Sequence, residues 1–145
     1  MKSKSLSEIE DEALEDLTIR EDQLEYESAR TPSLFNKYYK QYRLIRTEIV
    51  LVEKELKILR FKKKEYYSGK ADPSVYTKKP LNIRILKSDV KTYVDGDQDI
   101  INLETHIDLL KIKRDTIKAI LDNIGTRTYH INNMLKSIYF KHGIV

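Results

Sequence analysis

The sequence predicts a mostly α-helical chain: two long amphipathic helices packed as a hairpin, joined by a short irregular or β-containing connector, and self-associating. Three observations predict it. Only 4 Gly and 3 Pro interrupt 145 residues, which favours long helices over a turn-rich sheet fold. Apolar residues recur in alternating steps of four and three through two extended stretches, the mark of a helical seam. Further apolar side chains lie off those seams (Leu44, Leu51, Ile58, Ile112, Ile120 and Met134). One hairpin does not cover them, and association of copies is the simplest partner.

Residues 1–30 read as an acidic arm or as short helices. They carry 10 acidic and 4 basic side chains. Leu6, Ile9, Leu14, Leu17 and Leu24 are scattered among the acids, which permits one or two amphipathic helices and equally permits a mobile arm. Residues 31–145 read as one helical domain. Its first helix, about 32–67, begins at Thr31-Pro32, with Thr31 as the N-cap and Pro32 at the first helical position. The seam then runs Tyr38, Tyr42, Ile45, Ile49, Val52, Leu56, Leu59, and continues onto Lys63 and Tyr66. Gly69 is the expected stop.

The connector, 70–96, carries the turn formers Asp72-Pro73, Lys79-Pro80 and Asp95-Gly96. Leu81, Ile83 and Ile85 alternate with Asn82 and Arg84, which predicts a short strand or extended segment. Residues 88–93 suit one helical turn. The second long helix spans about 97–141, with Asp97 and Asp99 at its positive N-terminal end. Its seam is Leu103, Ile107, Leu110, Arg114, Ile117, Leu121, Ile124, Thr128, Ile131, Leu135 and Ile138. Gly125 costs about 1 kcal/mol relative to Ala inside a helix. The pattern passes through it unbroken, so one helix is expected, with a kink at Gly125 left open. The seam residues Ile117, Leu121, Ile124, Ile131, Leu135 and Ile138 are the candidate oligomerisation set.

Charge is segregated along the chain: net −6 over 1–30, +8 over 31–80 and +2 over 81–145. A localised basic block matters more for phosphate affinity than the overall pI. The run from Arg60 to Lys70 (Arg60-Phe61-Lys62-Lys63-Lys64-Glu65-Tyr66-Tyr67-Ser68-Gly69-Lys70) places three consecutive lysines beside three aromatic rings. Lysines contact phosphates, and aromatic rings stack on unpaired bases. Candidate single-stranded nucleic-acid contacts are therefore Arg60, Lys62, Lys63, Lys64, Tyr66, Tyr67 and Lys70. A solvated helix end, with cations complementing the macrodipole and Tyr66 in the core, explains the same residues; both readings stand on sequence grounds. Tyr38, Tyr39 and Tyr42 also interleave with Lys37, Lys40, Arg43 and Arg46, but Tyr38 and Tyr42 occupy seam positions, which points to packing.

Several function classes lack their residues. With no cysteine there is no disulfide framework or thiolate metal site. The stretch from Asp95 to Asp99 has the spacing of a calcium loop, yet its sixth position is Ile100 and its twelfth His106, where ligation needs Gly and Glu. His106, His130 and His142 lack metal-ligand spacing. No phosphate-cradling glycine loop or Ser-His-acid arrangement is visible. The expectation is a non-enzyme with no cofactor and no metal. No apolar run approaches the roughly 20 residues of a membrane span, and the N-terminus lacks a signal peptide's apolar stretch. A soluble, cytoplasmic protein is expected.

Glu65-Tyr66-Tyr67-Ser68-Gly69, preceded by a basic helix, resembles the signature of the phage UvsY recombination mediator family. Residues 23–29, Ile83-Arg84-Ile85-Leu86-Lys87-Ser88-Asp89-Val90, Asp97-Gln98-Asp99-Ile100-Ile101 and Arg127-Thr128-Tyr129-His130-Ile131 are similar to it in the same order. The resemblance covers roughly 23–142. It implies a protein of the host cytoplasm that binds single-stranded DNA and assembles into a ring of six or seven subunits. It also implies help to a RecA-like recombinase in displacing the phage single-strand-binding protein. In the family a pair of basic residues one apart, just before Tyr-Tyr-Ser-Gly, contacts DNA. Those positions fall on Phe61 and Lys63, so a collective patch rather than the pair carries over. The family's C-terminal helix is associated with oligomerisation, in line with the second seam. A coiled-coil adaptor with no nucleic-acid role is the alternative, and a duplex DNA or RNA binder a third.

Overall fold

The computed structural model describes residues 3–143, and all regular structure among them is helical. The acidic segment is folded rather than a loose arm. Helix α1 (Leu6–Leu17) opens on a capping box: the Ser5 hydroxyl accepts the Glu8 N–H at 3.3 Å and the Glu8 carboxylate accepts the Ser5 N–H at 3.1 Å. This satisfies two of the orphan donors at a helix start. Ile9 and Ala13, one turn apart, turn inward. A 3-10 turn (Glu21–Gln23) then leads into α2 (Leu24–Ala29) and the 37-residue α3 (Thr31–Tyr67).

Thr31 is not an N-cap. Arg30 keeps right-handed backbone angles and donates its N–H to the Tyr26 carbonyl at 3.1 Å, while Leu34 donates to Arg30 at 3.0 Å. Hydrogen bonding thus carries from α2 into α3, and the carbonyls before Thr31 already serve α3's first donors. The Thr31 hydroxyl instead donates back to the Glu27 carbonyl at 3.3 Å. The far end behaves as expected: Gly69 takes φ +75°, Lys70 donates to the Glu65 carbonyl at 2.9 Å and Gly69 to Tyr66 at 3.2 Å. That pair of bonds is a Schellman cap, and the positive φ is why a glycine stands there.

The connector contains α4 (Pro73–Lys78), capped by Asp72 through the Ser74 N–H at 3.0 Å, then a 3-10 turn (Lys87–Asp89) and α5 (Val90–Asp95). The strand predicted around Leu81, Ile83 and Ile85 is not formed; residues 79–86 are irregular. A lone strand has no ladder to satisfy its backbone. Ile85 is held by packing on Val90, Val94 and Ile100 instead.

The single helix expected over 97–141 is two, α6 (Gln98–Gly125) and α7 (Arg127–Lys141). At Thr126 the backbone N–H is shared between Asp122 and Asn123, at 3.3 and 3.2 Å. Gly125 is not among the positive-φ residues, so the interruption is not a left-handed flip. The interruption lies between Gly125, a residue of low helix propensity, and Arg127, whose side chain is buried against Glu27. Ile124 and Ile131 are both buried, so the seam continues across the break.

Two compact units result. One comprises the described residues up to Arg46 and from Ile112 onward; the other is Thr47–Lys111. In the first, Ile9, Leu34, Tyr38, Ile45, Ile117, Ile124 and Ile131 are buried, and a buried ion pair ties α2 to α7. Arg127 lies 2.7 Å from the Glu27 carboxylate and also donates to the Glu27 carbonyl at 3.1 Å; Glu27 is 0 % and Arg127 2 % exposed. Burial pushes the Glu27 carboxyl up, but hydrogen bonds from Arg127 and Arg20 and the charge of Arg30 outweigh it and hold Glu27 below its ordinary range.

Removing Arg127 takes from Glu27 its buried cation and leaves it the partly exposed Arg20 and Arg30, at 3.3 and 3.5 Å. Arg127→Ala should cost about 3–5 kcal/mol in urea unfolding, while Glu27→Leu with Arg127→Met should restore most of that loss. Because Glu27 is depressed, the pair's contribution is present above the ordinary carboxylate pKa and lost as pH falls through the folded value. The apolar double variant should therefore lose less stability on acidification than the natural chain.

Candidate nucleic-acid interface

Helical periodicity sorts the basic run at the end of α3 into two sets. Arg60, Lys63 and Tyr67 recur at steps of three and four and share one face. That face meets the carboxylates of the α5–α6 junction. Arg60 pairs with Asp95 at 2.9 Å and also with Glu104; Lys63 pairs with Asp99 at 2.7 Å and Asp97 at 3.2 Å. With Glu53 and Lys111 at 3.5 Å, these pairs run up α3 as they run down α6, so the two segments of this unit lie antiparallel.

Asp97 is the node of this face. One carboxylate oxygen accepts the Asp99 N–H at 2.9 Å and caps α6, while the other accepts the Tyr67 hydroxyl at 2.6 Å and faces Lys63. Burial would raise its pKa, but the Tyr67 hydroxyl, the Asp99 N–H and Lys63 bring it below the usual carboxylate value. Lys63 is likewise held above the ordinary lysine value: burial lowers it, and hydrogen bonds to Asp99 and Asp97 more than compensate.

The tyrosines are committed to packing. Tyr66 is buried, stacked on Tyr76 with centroids 5.4 Å apart, and its hydroxyl donates to the Lys79 carbonyl at 3.1 Å. Tyr67 packs with Leu56, Leu59 and Ile85 on Val90, Val94 and Ile100. Tyr66 is thereby closed to solvent, while the half-buried Tyr67 also borders the groove at the end of α3.

The second set faces solvent. Lys62, Lys64 and Lys70 are exposed and make no ion pair among the described residues. Lys64 and Lys70 border a groove of about 1500 Å³ within this unit, between the end of α3 and the connector. Its cations are Arg60, Lys64, Lys70, Arg84, Lys87 and Lys91, and no carboxylate lines it. Arg60 and Lys91 are both bonded to Asp95; the other four have no ion pair among the described residues. The charge of such a lining suits an extended polyanion.

Arg84, Lys87 and Lys91 escaped the sequence reading. Their segment reads as alternating apolar and polar, and single cations three and four residues apart carry no cluster signal until the chain folds back along α3. The six candidate oligomerisation residues divide as well. Ile117, Ile124 and Ile131 are buried in the chain's own core, and Leu121, Leu135 and Ile138 are half-buried. Tyr129, Tyr139 and Phe140 are the large exposed apolar side chains of α7. Among the described residues no helix is long and apolar enough to cross a membrane.

Comparison with known proteins gives one consistent match. The family model described as recombination, repair and ssDNA binding protein UvsY matches residues 12–144. The recombination protein uvsY of Enterobacteria phage T4 is 26% identical over 138 residues, covering 95% of this chain and 98% of the relative. A crystal structure of the bacteriophage T4 recombination mediator protein UvsY (lattice type II) superposes with TM-score 0.82 at 25% identity, over 96% of this chain and 98% of that one. A second lattice form, type I, gives TM-score 0.81 at 25% identity, over 92% and 98%.

Since Asp97 supplies a cap, a charged hydrogen bond and an ion pair together, Asp97→Ala should destabilise the chain by about 2 kcal/mol or more. Tyr67→Phe removes only the hydroxyl bond and should cost about 1.5–3 kcal/mol. Thermal or urea unfolding of the two variants checks both values.

Proposed function

The chain belongs to the UvsY family of recombination, repair and single-stranded-DNA-binding proteins, and from that premise we propose that it is a recombination mediator acting by position rather than by catalysis. It holds a single strand along the exposed lysines at the end of α3 and presents it to a RecA-like recombinase on DNA covered by the phage single-strand-binding protein. The observation that carries this reading is the groove beside Lys64 and Lys70, cationic and without a carboxylate in its lining. The contacts fall on Lys64 and Lys70, which line the groove, and on the exposed Lys62 outside it; Arg60 and Lys63, held by Asp95, Asp97, Asp99 and Glu104, brace the helix end.

In this reading the long helices pack as a hairpin and the copies assemble into a ring, with the exposed Tyr129, Tyr139 and Phe140 of α7 available for assembly. Six or seven subunits follow from the family resemblance. A ring repeats the basic patch, and linking many weak sites raises affinity without new contacts. The engagement of Arg60 and Lys63 in ion pairs is the observation that favours the adaptor reading instead.

Salt dependence separates the two. On single strands each lost phosphate contact reduces the slope of log affinity against log salt by about 0.7. Lys62→Ala, Lys64→Ala and Lys70→Ala together should therefore flatten that slope by about 2, with circular dichroism and unfolding midpoint unchanged. Binding indifferent to both salt and the triple substitution supports the adaptor.

A further inference from the structure

The groove has two walls, and only one belongs to the basic run of α3. We propose that the connector segment 81–87 is a second strand-binding wall. Arg84 and Lys87 take phosphates there, and Phe61, Ile83 and Leu86 meet the faces of unpaired bases. This rests on the reading of the protein as a single-strand binder and names how that site selects its ligand.

Two features of the wall argue for a nucleic-acid occupant. Arg84 and Lys87 line the same groove as Lys64 and Lys70, are exposed and have no ion pair among the described residues. By contrast, Lys91 and Arg60, which also line it, are already bonded to Asp95. Between the cationic rims lie large apolar side chains left in water: Phe61 is 65 %, Ile83 55 % and Leu86 66 % exposed. A polyanion with only phosphates to offer satisfies the rims and leaves these three uncovered. A single strand satisfies both, because every unpaired base has an apolar face that stacks or packs without regard to sequence. A duplex hides those faces within its own stack. The groove therefore discriminates single from double strands through its apolar side chains, while its cations contribute to both.

Phe61 takes the stacking role because it is the most exposed of the three aromatic residues of the run: Tyr66 is buried and Tyr67 half-buried. The Tyr66 ring is buried against Tyr76, and the Tyr67 hydroxyl is tied to Asp97. Phe61 has the same helix register as neither of them and projects at the groove wall.

The chain contains no tryptophan, so Phe61→Trp introduces a single fluorescent reporter at the wall. Oligo(dT) should quench it on binding, and an abasic oligonucleotide of equal length should bind with little quenching. Arg84→Ala with Lys87→Ala should flatten the single-strand salt slope by about 1.4. Phe61→Ala with Ile83→Ser and Leu86→Ser should weaken single-strand binding roughly tenfold while leaving duplex affinity and the salt slope in place. If the natural chain binds single strands, the Lys62, Lys64 and Lys70 variant weakens, and both wall variants bind as the natural chain does, the second wall is refuted and the mediator reading stands. Absence of salt-dependent single-strand binding by the natural chain refutes the mediator reading itself. Circular dichroism of each variant, and the milder Arg84→Gln with Lys87→Gln, keep loss of binding distinct from loss of fold.

Discussion

The carboxylate of Asp97 faces three requirements at once. It stands at the N-terminus of α6, where unsatisfied backbone donors call for an acceptor; it receives the hydroxyl of Tyr67 from the last turn of α3; and it neutralises Lys63. A single buried acid thereby fixes where α6 starts relative to where α3 ends. Everything at the groove depends on that register. The Schellman cap at Gly69 releases the chain beyond that point, Tyr76 is set against Tyr66, and the connector returns along α3 to pack Ile85 on Val90, Val94 and Ile100.

The same junction decides which cations remain available. The five residues from Arg60 to Lys64 follow one another at about 100° around the helix, so one basic run points its cations in different directions. The inner face, Arg60 and Lys63, is matched by Asp95, Asp97, Asp99 and Glu104. Ion pairs of this kind contribute modestly where exposed, but here they also orient elements. Lys62 and Lys64, about 160° apart around the helix, stay exposed and without an ion pair among the described residues. An acidic junction opposite a basic helix end thus acts as a sorter: it withdraws some cations into structure and leaves others in solvent beside exposed apolar side chains.

In the other unit the equivalent constraint is the Glu27–Arg127 pair. Both groups are almost wholly buried, and the arginine also reaches the Glu27 carbonyl, so α2 and α7 are held by directional bonds as well as by the surrounding isoleucines. The inward pull on Arg127 accompanies the break between α6 and α7. The acidic N-terminal segment is bound into this unit through Tyr38 and Lys37, which reach Asp16 at 2.7 and 2.6 Å.

The sequence by itself determined the helical class, the two seams, the Gly69 stop and the acidic start of α6, because each follows from local periodicity or from a backbone requirement within a few residues. Ile45, Ile49, Ile107, Ile117, Ile124 and Ile131 are buried as their spacing demands. Only tertiary structure decided the rest. Thr31 looks like a cap until α2 is seen to run into it, and Leu81, Ile83 and Ile85 look like a strand until they are seen to lack a neighbour. Among the basic residues, nothing local distinguishes Lys63 from Lys62 and Lys64; the acids that claim it lie more than thirty positions along the chain. Arg84 and Lys87 joined the cationic groove lining only when the connector folded back beside α3. Charge is legible in a sequence, but whether a charge is neutralised depends on what the fold brings within a few ångströms of it.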